Sequence, residues 1–194
     1  MRMHFRLMGT AALLAAIAAP ASAQQAAKTP TAVVVSGPDA GSRAPDFRLP
    51  WATKDSIGSV ADDFVLRNAR GKIVVLAFYP ADFTSGCTAE LKAFTDRYDE
   101  LFGEGVEVVG ISTDSLETHQ RFAQSLGAPF KLLSDPSQRV ARLYGSKGEK
   151  NHSRRTVYVI DPSGTVTYRD MRFGALDPRA YDALKKAVQE ARGG

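Results

Sequence analysis

Residues Ile73 to Tyr79 form an unbroken apolar run, Ile-Val-Val-Leu-Ala-Phe-Tyr, rich in β-branched and aromatic side chains. A run of that composition reads as a strand buried inside a sheet. Gly71-Lys72 turns into it and Pro80 stops it, after which Asp82, Ser85 and Gly86 read as loop. Leu91, Phe94, Tyr98, Leu101 and Phe102 then recur at helical spacing, which predicts a helix from near Cys87 to about Gly103. Cys87 is the only cysteine in the chain. The pattern puts it in the first turn of that helix, just past the C-terminal end of a central strand. There the unpaired backbone N–H groups and the positive end of the helix dipole favour a thiolate.

A lone cysteine is commonly a small buried hydrophobe. The loop-to-helix position, with Thr84 three residues upstream, favours a reactive thiol instead. An unpaired cysteine in an exported chain points the same way.

Export is read from the N-terminus. Arg2 and Arg6, with no acid among residues 1–6, precede the apolar run Ala11 to Ala19. Pro20-Ala21-Ser22-Ala23-Gln24 then supplies small residues at the positions cleavage requires. The apolar stretch falls short of the ~20 residues needed to span a bilayer. Residues 1–23 are therefore expected to be a cleavable signal for a periplasmic or secreted protein. Cleavage removes two of the 25 basic residues, leaving 23 against 21 acidic ones, a formal charge of +2. That balance argues for neither a nucleic-acid partner nor a membrane surface. Residues 24–42, rich in Ala, Pro, Gly and Ser, are expected to be a flexible leader, and 43–194 one domain with one core.

Within that domain, Phe47–Leu49 and Phe64–Leu66 suggest a hairpin-like entry around a polar, turn-like Ala52–Ser59, with Trp51 as a packing residue. Beyond the Cys87 helix, Val106–Ile111 reads as a second buried strand. Asp114 or Ser115 is the N-cap of a helix to about Leu126. Lys131–Leu133 is a short strand, and Pro136 opens a helix ending near Tyr144-Gly145. Val157–Ile160 and Thr165–Tyr168 flank Asp161-Pro162-Ser163-Gly164 as a hairpin. Asp177-Pro178 starts a last helix whose apolar face is Tyr181, Leu184 and Val188. This order predicts an α/β, thioredoxin-like fold. It has a central mixed sheet flanked by helices, an N-terminal strand extension and a mid-chain insertion. Right-handed crossovers put the first two core strands parallel, with Cys87 at their C-terminal ends, where chemistry is usually found.

The spacing Pro80-x-x-x-Thr84-x-x-Cys87, with Phe78-Tyr79 before it and Thr88-x-Glu90 after it, resembles the active-site signature of the peroxiredoxins. It is most similar to the bacterioferritin-comigratory (PrxQ) branch. The resemblance runs from Ala44-Pro45-Asp46-Phe47 through Val109 to Ser115, His119 with Phe122, and Leu132-Leu133-Ser134-Asp135, to the last helix. It implies a thiol-dependent peroxidase in which Cys87 attacks the peroxide and is oxidised to a sulfenic acid. It also implies an active-site arginine in the pattern Arg-x-x-Phe-x-Ile-Asp, matched by Arg155, Tyr158, Ile160 and Asp161. Arg154 is adjacent, and strand alternation would aim the two at opposite faces. Pro80 would shape the loop and shield the thiol, Thr84 would bond the peroxide, and the backbone around Gly86 and Cys87 would supply further donors. Glu90, grouped with Gly86 at the substrate, either orients the arginine or favours the helix N-terminus. His119 is expected to be structural. His152 lies in a polar loop, and neither of these histidines has metal-ligand spacing.

Many relatives carry a resolving cysteine five residues after the first; here Lys92 stands there, so no intramolecular disulfide can form. Resolution must come from an external thiol (thioredoxin, glutaredoxin/glutathione or similar) or a second copy. No cofactor or metal is expected, and the assembly expected is a monomer or weak homodimer. The alternatives are a non-enzymatic redox sensor on the same fold and a thioredoxin-like disulfide oxidoreductase. The second needs Cys-x-x-Cys, and Thr84 and Glu90 occupy those positions. A cysteine hydrolase finds no histidine placed as its base.

Overall fold

The computed structural model describes Met1, residues 36–59 and residues 61–193. The expected signal at 1–23 and the leader up to residue 35 thus lie, Met1 apart, outside the described residues. The central sheet has six strands, in the order β2 (Trp51–Ala52), β6 (Lys131–Ser134), β5 (Val106–Ser112), β4 (Ile73–Phe78), β7 (Thr156–Ile160) and β8 (Val166–Asp170). β4 is parallel to β5 and antiparallel to β7, so its two neighbours meet it with opposite ends. Ahead of β4 in the chain, β1 (Arg48–Leu49) and β3 (Phe64–Val65) pair antiparallel as expected, but the stretch between them is not all turn, since Trp51–Ala52 is β2 and pairs with β6. The plan is the thioredoxin-like one, mixed and flanked by helices, with β6 and the helix after it as the mid-chain addition.

The apolar run of β4 has no polar face because both of its faces are covered. Ile73, Val75, Ala77 and Tyr79 pack with α1 (Ser85–Asp96), α3 (Leu116–Leu126) and α5 (Pro178–Ala191), in a cluster that includes Leu91, Phe94, Phe122, Leu184 and Val188. Val74, Leu76 and Phe78 point the other way, against Phe47, Phe64, Val140 and Tyr144. Ser115 is the N-cap of α3, its hydroxyl accepting from the Thr118 N–H at 3.3 Å. Asp177 caps α5 by accepting from the Arg179 N–H, with Pro178 in the first turn.

Three local expectations are revised. The helix after Cys87 is broken at Arg97, and α2 (Tyr98–Leu101) continues it. Thr95 donates its hydroxyl to the Leu91 carbonyl one turn back, a bond that competes with the helix and bends it. The helix after β6, α4 (Arg139–Leu143), opens three residues later than Pro136. The Asp135 carboxylate accepts from the N–H groups of Arg139, Val140 and Ala141 and sets the start there. Residues 36–42, assigned to the leader on composition, are docked. Arg169 donates to the Ser36 and Pro38 carbonyls, and the Gly41 N–H to Val166. Gly37 lies so close to Tyr144 and Tyr158 that a Cβ would clash with both.

Candidate active site

β4 delivers the chain to a short loop, Pro80 to Thr84, and α1 starts at Ser85. That loop is pinned from beneath. Asp82, almost fully buried, accepts from the Tyr79 hydroxyl at 2.6 Å, and its other oxygen lies 2.8 Å from Nδ1 of the buried His119. His119 Nε2 reaches the Leu133 carbonyl at 3.2 Å; a carbonyl only accepts, so Nε2 carries a proton. The Asp82 N–H donates to Asp114, whose carboxylate also accepts from Ser112. Burial, reinforced by the Asp82 charge, holds the Tyr79 phenol well above its ordinary value, so it stays a donor. Phe83, next in the loop, adopts φ 59°, a left-handed conformation that a bulky side chain rarely takes. Its half-exposed ring rests on Phe122 at 4.9 Å between centroids.

Cys87 is the third residue of α1 and has no exposed surface. The Thr88 N–H is the first in the helix to bond back, to the Thr84 carbonyl at 2.8 Å. The N–H groups of Ser85, Gly86 and Cys87 precede it and have no intrahelical acceptor, and the Thr84 side chain does not cap them. Arg155 comes from the far side. The register Phe78↔Thr156 places it just beyond the end of β4. It shares parity with Val157 and Val159, which pack in the same cluster as Cys87. Arg155 Nη2 donates to Cys87 Sγ at 3.4 Å, and Nη1 is ion-paired with Glu90. A Cβ on Gly86 would stand 3.1 Å from Nη2, so the glycine lets the guanidinium lie over the first turn. Arg154 is exposed, and the hydrogen bonds to Cys87 and Glu90 come from Arg155 instead.

Glu90 follows Cys87 by three residues on the same helical face. Its carboxyl is pushed up to about 7 because burial outweighs the opposing pull of Arg155. Among the described residues, Oε1 has no hydrogen-bond partner. For Arg155, burial works against the charge, but Glu90 and the Cys87 sulfur more than offset it and hold its pKa above the ordinary guanidinium value.

The expected site residues divide accordingly. Cys87, Gly86 and Arg155 come together, with Arg155 rather than Arg154 on the sulfur. Thr84 lies in the same loop, but its hydroxyl donates to the Ala81 carbonyl at 3.0 Å, which leaves oxygen lone pairs rather than the proton for a ligand. Glu90 is fully buried, so it reaches a substrate only through Arg155. Pro80 accepts a hydrogen bond from His152 Nδ1 at 3.2 Å, which ties the polar loop ahead of β7 to the Cys87 loop. Sequence reading did not find the Tyr79–Asp82–His119 network. Its members come from a strand end, a loop and a helix face, and no local pattern joins them. A thiol held against a guanidinium and three free N–H groups is equipped to attack an electrophilic oxygen or sulfur.

The family model for the AhpC/TSA family matches residues 40–169. A chloroplastic peroxiredoxin Q of Triticum aestivum is 38% identical over 167 residues, covering 82% of this chain and 74% of that protein. Among solved structures, the peroxidoxin BcpB of Mycobacterium tuberculosis is similar with a TM-score of 0.67 and 28% identity, over 79% of this chain and 97% of that one. The bacterioferritin comigratory protein of Xanthomonas campestris follows with a TM-score of 0.63 and 26% identity, over 74% and 92%.

Proposed function

The chain belongs to the AhpC/TSA family, and on that premise we propose that its thiol-dependent peroxidase activity runs through Cys87 alone. The Xanthomonas campestris neighbour is described by its alkyl peroxide reduction activity, and the substrates proposed here are hydrogen peroxide and organic hydroperoxides. The observation that carries the reading is the Arg155–Cys87 contact at 3.4 Å over an uncapped helix N-terminus. The Cys87 thiolate attacks the terminal oxygen of ROOH. An S–O bond forms, the O–O bond breaks, and RO⁻ leaves and takes a proton. Arg155 and the N–H groups of the first turn stabilise the charge moving onto oxygen. Arg155 suits that role because a guanidinium keeps its charge at any working pH and can donate to sulfur and oxygen together. Glu90 holds Arg155 from behind, Pro80 shapes the loop, and Thr84 accepts from the peroxide O–H.

With one cysteine, the sulfenic acid is resolved by an external thiol, a thioredoxin or glutaredoxin/glutathione system among them, and the working unit is a monomer or weak homodimer. Residues 1–23 direct export to the periplasm or beyond, a reading that rests on their charge and small-residue pattern. The test is a single-turnover experiment. One equivalent of hydrogen peroxide without reductant should add one oxygen to the dilute protein, trapped as sulfenic acid on Cys87. Cys87→Ser should add none and show no turnover with any thiol donor. Substantial turnover by Cys87→Ser refutes the assignment, as does quantitative disulfide dimer at low concentration with no sulfenic acid.

A further inference from the structure

Sulfenic acid on Cys87 must be met by a sulfur from outside, and the sulfur it sits on has no exposed surface. The way in is set by what surrounds Arg155. An open cleft of about 680 Å³ is lined by Arg154, Arg155, Met171, Arg172 and Phe173. The Phe173 N–H donates to the Arg155 carbonyl at 3.2 Å, which fastens the 171–173 segment beside the arginines. Arg155 lines the cleft and also donates to Cys87 Sγ, so a molecule seated in the cleft is one guanidinium away from the reacting sulfur.

The three guanidiniums are not equivalent. Arg155 is already paired with Glu90. Arg154 and Arg172 are exposed, and among the described residues their hydrogen bonds run through the backbone alone. The Arg154 N–H donates to the Ser146 carbonyl and the Arg172 N–H to the Asp170 carboxylate at 2.8 Å. The Asp170 carboxylate is the acid nearest to Arg172 along the chain and is not among the lining residues. The cleft therefore carries two guanidiniums free to pair, the positive end of α1 beyond them, and an apolar floor from Met171 and Phe173. Guanidiniums recognise carboxylates by paired hydrogen bonds, and a cluster of like charge raises the local concentration of anions.

We propose that this cleft is the docking site for the reductant, and that it selects a small thiol bearing one or more carboxylates. The inference rests on the one-cysteine peroxidase reading above. The docked thiolate attacks Cys87 sulfur, an S–S bond forms and the S–O bond breaks, and hydroxide leaves and takes a proton to become water. A second thiolate then attacks the outer sulfur of the mixed disulfide, which releases the symmetric disulfide and the Cys87 thiolate. The two thiols supply the two electrons that the peroxide removed. Arg154 and Arg172 are positioning residues that hold the carboxylates and do not touch the reacting atoms.

The test separates the half-reactions. The full chain is oxidised with one equivalent of hydrogen peroxide and mixed with mercaptosuccinate, 3-mercaptopropionate, 2-mercaptoethanol or cysteamine, each at equal thiolate concentration. The rate of sulfenic acid loss should fall in that order. The dianionic thiol is expected to lead the neutral one by about three- to thirty-fold at low ionic strength. Raising the salt to ~0.5 M should remove most of that lead, and so should Arg154→Gln with Arg172→Gln, with the oxidation rate by hydrogen peroxide left within about two-fold. Equal rates across the series, or a preference that survives the double substitution, overturns the proposal. So does an anionic preference confined to the oxidation step, measured with a carboxylate-bearing hydroperoxide against tert-butyl hydroperoxide. Failure of hydrogen peroxide to oxidise the wild-type thiol would instead strike the peroxidase reading itself.

Discussion

Replacing Glu90 by Gln is expected to stabilise the protein more and more, relative to wild type, as pH rises. The carboxyl is fully buried and, among the described residues, Oε1 has no partner and Oε2 has only Arg155. Burial lifts its pKa from the ordinary 4.5 to about 7 despite the arginine. The two partners pull in opposite directions, since Arg155 is itself held in its charged form. The direction at Glu90 prevails because half of that carboxylate has nothing to bond. A folded-state pKa above the unfolded one fixes the sign. Below about 4.5 the group is neutral in both states and ionisation costs the fold nothing. Between 4.5 and about 7 the unfolded chain ionises first, and above 7 the full cost stands. At about 1.4 kcal/mol per pH unit, that cost is about 3 kcal/mol. Gln keeps a carbonyl oxygen for Arg155 and removes the titration. Urea unfolding of both proteins at pH 5, 6.5 and 8 is the assay. The stability of Glu90→Gln minus wild type should grow by about 2–3 kcal/mol from pH 5 to pH 8. A difference that is flat or shrinks with pH refutes the reasoning, because it would place the folded-state pKa at or below the ordinary value.

Arg155→Met should slow the oxidation of Cys87 by peroxide by about a hundred-fold or more, as loss of a preorganised donor does elsewhere, while Arg154→Met leaves that step nearly unchanged; rapid-mixing rates for both decide, and the reverse order would mean the register of β7 is misread. His119→Ala should lower unfolding stability by about 2–4 kcal/mol, since it leaves one oxygen of the buried Asp82 carboxylate without its partner and removes a donor from the Leu133 carbonyl. A loss below ~0.5 kcal/mol, the size expected of an unremarkable surface change, would mean that the network does not hold the loop.

Where the determinants are local or periodic, the sequence is enough. Seven apolar residues ended by a proline place β4, and Ser115 and Asp177 mark the starts of α3 and α5 by their capping chemistry. Arg155 is legible through its resemblance to the pattern Arg-x-x-Phe-x-Ile-Asp; strand alternation sets it apart from Arg154 but does not by itself say which of the two faces Cys87, and the register of β7 against β4 decides that. What escapes is decided by partners far along the chain. Glu90 looks like an ordinary acid near the start of a helix until its burial is known. The docking of residues 36–42 depends on Arg169 and Tyr144, more than a hundred residues away. The late start of α4 depends on which way the Asp135 carboxylate points, and composition favours Pro136 there instead.

The two sets of contacts that fix Cys87 come from opposite sides of β4, and the sheet order explains why. On one side the connection from β5 into α3 brings Asp114 and His119 under the loop that ends in Thr84. On the other side β7 runs antiparallel, so that its first residues, rather than its last, stand beside Cys87, with Arg155 among them. Were β7 parallel to β4, its start would lie at the Ile73 end, a strand length of roughly 20 Å away at ~3.3 Å per residue. The central placement of β4 and the opposed directions of its neighbours are therefore requirements of the chemistry as well as of the core. The loop is immobilised by a buried acid–imidazole pair on one flank and the sulfur meets its guanidinium on the other.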